Sequence, residues 1–290
     1  MKIVHVVPYK LDAYSGVYTA IVGITTALAR AGHEVEAWNL SPWPAERPEL
    51  AADLDAAGVL RRELPQSPRP WSLTPAAKQI VDTGLTADVV HLHSAFSPQN
   101  NLLARRVECP IVLSPHGVFS AASLAKSRLK KQVFRRVFEL PLLKRVGAVT
   151  ALTEAEAAEA LGFGYRGRIT VIPNGVSDAA PDLDAAALRA EIGLAARDRL
   201  ALFVGRIDLH HKRVDEAARQ VAASPGWHLA VVGPDYRGDA ERLRMIVDGL
   251  AGGERIHLLG PRRGRAPVSY THLTLPTITS GGCGRGGAGR

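Results

Sequence analysis

Short apolar runs alternate along this chain with segments whose apolar residues return at helical spacing, the pattern of parallel strands joined by crossover helices. The first run, Ile3 to Val7, predicts a buried strand. A loop holding Ser15 and Gly16 leads into a helix whose apolar face is predicted as Val17, Ala20, Ile21, Ile24, Ala27, Leu28 and Ala31, closed by Gly32. HEVEAW supplies the next strand. From Ser41 to Pro75 the prolines are frequent and no period holds, which predicts irregular connections around one short helix at Ala51 to Ala57. The runs ADVVHLHS, CPIVLSPHG, GAVTALT and RITVIPNGV then end in small or polar residues, as strands feeding ligand-binding loops at a carboxyl edge do.

A polar, Ala-rich stretch, SDAAPDLDAAALRAEIGLAARDR, separates this series from a second one. The second opens with LALFVGRI and continues with a helix from Val214, the strand HLAVVGPD, a helix from Asp239 to Leu250 and the strand IHLLGP. The class is therefore α/β: a Rossmann-like domain at 1–178, a linker at 179–198 and the first units of another Rossmann-like domain at 199–266. Residues 267–290 break the pattern, because SGGCGRGGAGR has almost no side chain able to bury. The preceding VSYTHLTLP resembles a translated transposase adapter of sequencing libraries. The expectation is that authentic sequence ends near Ala266 and that the chain is a C-terminally truncated form.

Composition narrows the chemistry. With 290 residues, 46% of them hydrophobic, the chain is long enough for two cores. Its 36 Lys and Arg against 28 Asp and Glu give a net charge of +8, which favours anionic partners without choosing among them. Two cysteines, Cys109 and Cys283, form no disulfide framework and no metal cluster, which suits a reducing cytoplasm. The apolar start MKIVHVV is too short for a signal peptide or a membrane span. Aromatic residues make up only 6% and no recognition module appears, so nucleic acid is not an expected partner.

Six segments in order, SGVYTAIVGITTALARAGHEV, ADVVHLHS, SPHGVFS, ALTEAEAAEALGF, VIPNGV and FVGRIDLHHK, resemble the retaining glycosyltransferases of family 4 over about residues 1–265. The resemblance implies the two-domain GT-B arrangement and transfer of a sugar from a nucleotide-diphosphate donor to a glycan or lipid-linked acceptor, as in cell-surface polysaccharide or glycolipid synthesis. It also implies no bound metal and no cofactor. A leaving diphosphate gathers negative charge, and fixed cations beside it stabilise the transition state more than the ground state. Arg206, closing the strand LFVG, and Lys212, near the start of the next helix, are the candidate catalytic and donor-binding cations. The plainer alternative is two solvated surface charges. Arg213 stands where the family usually has Gly.

Gly16 is a candidate donor-binding position because a missing side chain lets backbone approach a phosphate or sugar, although it also suits a simple turn. No full G-x-G-x-x-G fingerprint surrounds it, which disfavours a dehydrogenase. His116, just beyond the strand IVLS, is placed by the resemblance near the reacting carbon as a candidate catalytic residue. His91 and His93 share a strand face, but spacing sets no third ligand beside them, so no metal site is expected. Asp182–Asp184 mimics a metal motif within the linker. The family's pair of glutamates eight apart is not met after Arg206, where Glu216, Glu241 and Glu254 have neither spacing nor context, so the chain as it stands is expected to be inactive.

Between Lys126 and Arg145 eight basic residues face the single acid Glu139, with Leu129, Val133, Phe134, Val137 and Phe138 at helical spacing up to Pro141. This predicts a basic amphipathic helix suited to the anionic inner face of a membrane, or an ordinary domain helix with a solvated basic side. Two rival functions stay open: a sugar-nucleotide epimerase of the same architecture, and a non-catalytic membrane-surface module.

Overall fold

The computed structural model describes residues 1–7, 16–40, 42–43, 45, 48–64, 72–84, 86–125, 127–175, 185–210 and 212–261. The expectations for Ser15, Asp182–Asp184, Cys283 and residues 267–290 fall outside them. The chain divides into two compact units, Met1–Ser177 and Asp178–Arg290.

In the first unit the elements run β1 (Lys2–Val7), α1 (Gly16–Arg30), β2 (Glu34–Asn39), α2 (Pro48–Ala56), β3 (Leu60–Glu63), α3 (Pro75–Gly84), β4 (Val89–His93), α4 (Pro98–Ala104) and β5 (Ile111–Ser114). There follow α5 (Ala121–Ala125), α6 (Arg128–Phe134), a π-helical turn (Arg135–Glu139), α7 (Leu140–Leu143), β6 (Val146–Ala151), α8 (Glu154–Phe163) and β7 (Arg168–Val171). The seven strands pair in parallel in the order β3-β2-β1-β4-β5-β6-β7. Strand order reverses direction between β1 and β4, the kind of position at whose carboxyl edge open α/β sheets bind ligands. Each strand read from an apolar run is present.

The core lies on both faces of that sheet. On one, Val4, Val6, Val90, Leu92, Leu113 and Val149 pack with residues of α3, α4, α7 and α8, and on the other Val7, Val35 and Ala37 pack with α1 and α2. Local chemistry sets the helix ends. Thr153 caps α8 by accepting from the Glu156 N–H at 3.1 Å, and Ser97 caps α4 in the same way from Asn100 at 3.2 Å.

Two sequence expectations give way here. The buried face of α1 is Tyr18, Ile21, Val22, Thr25 and Thr26, with Ala27 exposed and Ile24 half-buried. The two threonines can turn inward because their hydroxyls bond back to the Ile21 and Val22 carbonyls, which satisfies them without solvent. The region read as irregular also contains β3, whose LRRE sequence carries no apolar alternation because it is an edge strand with Leu60 exposed.

The described part of the second unit runs α9 (Ala185–Glu191), β8 (Arg199–Val204), α10 (Val214–Ala222), β9 (Trp227–Val232), α11 (Asp239–Asp248) and β10 (Ile256–Gly260). Its strands form a parallel sheet in the order β10-β9-β8, with Val214, Ala218, Leu229, Val231, Leu243 and Val247 in the core. Gly205 and Gly233 close β8 and β9 in close contact, and a Cβ on Gly233 would lie 1.8 Å from the Gly205 carbonyl oxygen.

Candidate active site

Parallel pairing across the strand reversal assembles a histidine cluster that spacing alone does not show. His5 of β1 stands opposite His91 of β4, and because a strand alternates faces, His93 lies on that same side. His93 in turn stands opposite Ser114 of β5. Nδ1 of His5 and Nε2 of His93 are 3.0 Å apart, and Nδ1 of His93 and Nε2 of His116 are also 3.0 Å apart. His91 Nε2 is 2.8 Å from the Ser114 hydroxyl, which bonds on to Thr150 of β6. A band of hydrogen-bonded polar side chains therefore crosses four neighbouring strands.

Burial depresses the basicity of each imidazole. His5 is lowered to about 4 by burial, and His91 and His93 lie well below the ordinary value, from burial first and then their neighbouring imidazoles. Burial lowers His116 as well, partly opposed by the carboxylate of Glu156. Burial thus favours the neutral form of all four rings.

The expectation that no third ligand accompanies His91 and His93 is corrected: His5 joins them, and each of the three offers a nitrogen within 4.8 Å of the others. The donor set alone would suit a transition metal. Yet a cation there would have to break the His5–His93 bond, and no carboxylate joins the three imidazoles in that group to offset its charge.

His116 is set by its backbone as well as by His93. It and Gly117 are both left-handed, with φ of 54° and 76°, and Glu156 pins the turn by accepting the Gly117 N–H at 2.5 Å and the Leu152 N–H at 2.6 Å. Glu156 is buried, and reasoning from sequence did not single it out. The Thr153-x-x-Glu156 pattern of a capping box was the available signal. Gly16 opens α1 with free space where a side chain would project, so protein packing does not demand a glycine there.

In the second unit Arg206 and Lys212 belong to one loop, leaving β8 at its carboxyl end. The Arg206 guanidinium lies 4.1 Å from the centre of the Tyr236 ring, with Nη2 3.5 Å from Asp208 Oδ2, and its buried Nε has no hydrogen-bond partner among the described residues. Lys212 is exposed, and among the described residues its amine makes no ion pair. The loop is fixed from α11, where Asp239 accepts the Leu209 N–H at 3.0 Å, and by the Lys212 N–H to the Asp208 carbonyl at 2.9 Å. A second guanidinium, that of Arg237, stands 5.0 Å from the same Tyr236 ring. Tyr236, Arg237 and Asp239 follow β9, so only the parallel pairing of β8 with β9 reveals them.

Comparison with known proteins gives this geometry a family. The glycosyl transferase 4-like domain matches residues 15–175, more than half of the chain. The chain belongs to that family. It is 31% identical over 264 residues to the phosphatidyl-myo-inositol mannosyltransferase of Mycolicibacterium smegmatis, covering 87% of this chain and 63% of that protein. It is 30% identical over 257 residues to the D-inositol 3-phosphate glycosyltransferase of Mycobacterium sp. (strain KMS), covering 81% and 58%. This member of the glycosyl transferase 4-like family thus spans about three fifths of the length of the curated relatives it matches. Among solved structures, Anabaena Alr3699/HepE in complex with UDP and glucose superposes with a TM-score of 0.67 at 17% identity, covering 92% of this chain and 71% of that one. WaaG, a glycosyltransferase involved in lipopolysaccharide biosynthesis, gives 0.62 at 17%, covering 92% and 72%. Both share the α/β GT-B fold, whose second domain is represented among the described residues by a three-stranded parallel sheet.

Proposed function

We propose that this protein acts in the transfer of a sugar from a nucleotide-diphosphate donor to a lipid-linked or glycan acceptor, with retention of configuration at the anomeric carbon. The observation that carries this reading is the β8 loop, where an exposed Lys212 and a Tyr236-stacked Arg206 are held by Asp239 at a carboxyl strand end. Both cations would lie against the diphosphate and stabilise the charge that develops as it leaves. In the retaining step the bond from C1 to the phosphate oxygen breaks while C1 bonds the acceptor oxygen on the same face. The acceptor's proton passes to the departing phosphate oxygen, so no protein base is required. His116 would contact the sugar near C1, and the open space above Gly16 would admit phosphate or sugar to the start of α1. This chemistry calls on no metal.

Two relatives are named for a phosphatidylinositol lipid and for inositol 3-phosphate, and one surface of the first unit would suit an anionic lipid layer. Phe134 and Phe138 of the basic segment are half-buried, with the Phe134 ring tilted at 53° to that of Phe96, their centres 5.8 Å apart. Leu129, Val133 and Val137 form a second, outward stripe at 79%, 63% and 52% exposure, flanked by the exposed Arg128, Lys130 and Arg136. Such a face would dip into an anionic headgroup region. Among the described residues no helix is long and apolar enough to cross a membrane.

Titration calorimetry with UDP-glucose and GDP-mannose tests the donor site. Binding of at least one, weakened about tenfold or more by Lys212→Ala, which is about 1.4 kcal/mol, supports the reading. Absence of binding to either, or indifference to Lys212→Ala, overturns it. Sedimentation with phosphatidylcholine vesicles with and without phosphatidylinositol, for the chain and for Leu129→Ser/Val133→Ser, tests the lipid surface.

A further inference from the structure

We infer that His5 and His93 fix the tautomer of His116, so that His116 carries its proton on Nδ1 and serves the site as a hydrogen-bond donor from that atom. A neutral imidazole has one N–H and one lone pair. His93 is bonded through both nitrogens, so its two bonds must run in series: whichever partner it accepts from, it donates to the other. That leaves two arrangements for the row of three rings.

In the inward arrangement His116 donates from Nε2 to His93, and His93 donates from Nε2 to His5. The proton of His5 then sits on Nε2, which is buried and has no hydrogen-bond partner among the described residues. In the outward arrangement His5 donates from Nδ1, His93 donates from Nδ1 to His116 Nε2, and only a lone pair is left over on His5 Nε2. Buried N–H groups without an acceptor are rarer in folded proteins than acceptor lone pairs without a donor. The outward arrangement follows, and with it a proton on Nδ1 of all three rings, the form that free imidazole side chains disfavour.

The consequence at the site is a fixed sign. His116 is half-buried, and turning its ring over to exchange Nδ1 for Nε2 would break the bond to His93. Nδ1 is therefore a standing donor for an oxygen: a sugar hydroxyl or a phosphate oxygen. That use rests on the transferase reading, while the tautomer itself does not. His5 and His93 act through His116 and are positioning residues.

Long-range proton–nitrogen correlation spectra of the uniformly ¹⁵N-labelled chain at pH 7.5 read the tautomer directly, with His116 assigned by the loss of its signals in His116→Asn. The expected pattern is Nδ1–H for His116. His93→Leu removes the inner bond and should return His116 to the Nε2–H form, and His93→Asn, whose amide can still donate to His116 Nε2, should restore Nδ1–H. A merely structural role would not distinguish those two variants. An Nε2–H signal for His116 in the wild-type chain overturns the inference, as does an unchanged Nδ1–H form in His93→Leu. Should His93→Leu fail to fold, the wild-type spectrum still decides. If Nδ1–H is found while UDP-glucose and GDP-mannose do not bind, the transferase reading alone fails.

Discussion

Glu139 is the single acid of the basic segment, and it is wholly buried inside the π-helical turn. Its Oε1 accepts the Phe96 N–H at 2.9 Å and the Asn101 side-chain amide at 3.3 Å, while buried Oε2 has no hydrogen-bond partner among the described residues. Burial pushes the carboxyl up from 4.5 to about 7, with the two hydrogen bonds opposing it. The raised value means the folded chain binds a proton more tightly than the unfolded one. Stability from this group is therefore fully present below the unfolded value and is lost as pH rises toward and through about 7. The full shift corresponds to about 3 kcal/mol, of which about 2.5 kcal/mol falls between pH 5 and pH 8. Glu139→Gln resembles the protonated acid and keeps an acceptor for Phe96. Urea denaturation of both chains across that pH range should show them close at pH 5 and Glu139→Gln gaining about 2.5 kcal/mol relative to wild type by pH 8. A difference that does not change with pH would show that Glu139 stays ionised in the folded chain and would refute the reasoning. Because Glu139 holds Phe96, itself left-handed at φ 57°, three residues beyond His93, its ionisation bears on the loop leaving β4.

Other outcomes follow from contacts in the second unit. Gly233→Ala places a methyl 1.8 Å from the Gly205 carbonyl oxygen, where only backbone movement can relieve it, so thermal denaturation should show a loss of about 3 kcal/mol. The same displacement should weaken nucleotide-sugar binding, since Arg206 follows Gly205 directly. Arg213→Gly relieves a left-handed residue at φ 49° and gives up only an exposed pair with Glu216, so equilibrium denaturation should show a gain of up to about 1 kcal/mol. Calorimetry after exhaustive chelation should give unchanged nucleotide-sugar affinity, and a loss restored by zinc would assign the cluster of His5, His91 and His93 to a metal after all.

The strands were legible because parallel strands buried on both faces must be apolar throughout, and such runs stand out against polar loops. The failures have the same physical source. β3 lies at a sheet edge and owes its place to backbone pairing with β2, so no side-chain pattern announces it. On α1, threonine counts as polar in a periodicity, yet its hydroxyl can be satisfied by the helix's own carbonyls, which moves the buried face toward Thr25 and Thr26. Both errors come from treating a residue type as if its burial were decided before its hydrogen bonds.

The candidate site was legible only where chemistry and position coincide in one segment. His116, Arg206 and Lys212 follow strands and could be read there, but the groups that orient them come from elsewhere in the chain: His5 lies 88 residues from His93, Glu156 lies 39 from Gly117, and Asp239 lies 30 from Leu209. Parallel sheets make this unavoidable, because neighbouring strands are separated by a whole crossover connection and their loop residues meet only once the sheet has formed. Arg213 shows the converse. It stands where the resembled family usually has glycine, yet the backbone takes the left-handed conformation glycine would take. The loop geometry is imposed by its surroundings, through Asp239 on Leu209 and Asp208 on Lys212, and these hold against the cost of a side chain at φ 49°. Substitution at such a position changes stability before it changes the placement of Lys212, which is why Arg213→Gly is expected to raise stability and leave donor affinity unaltered.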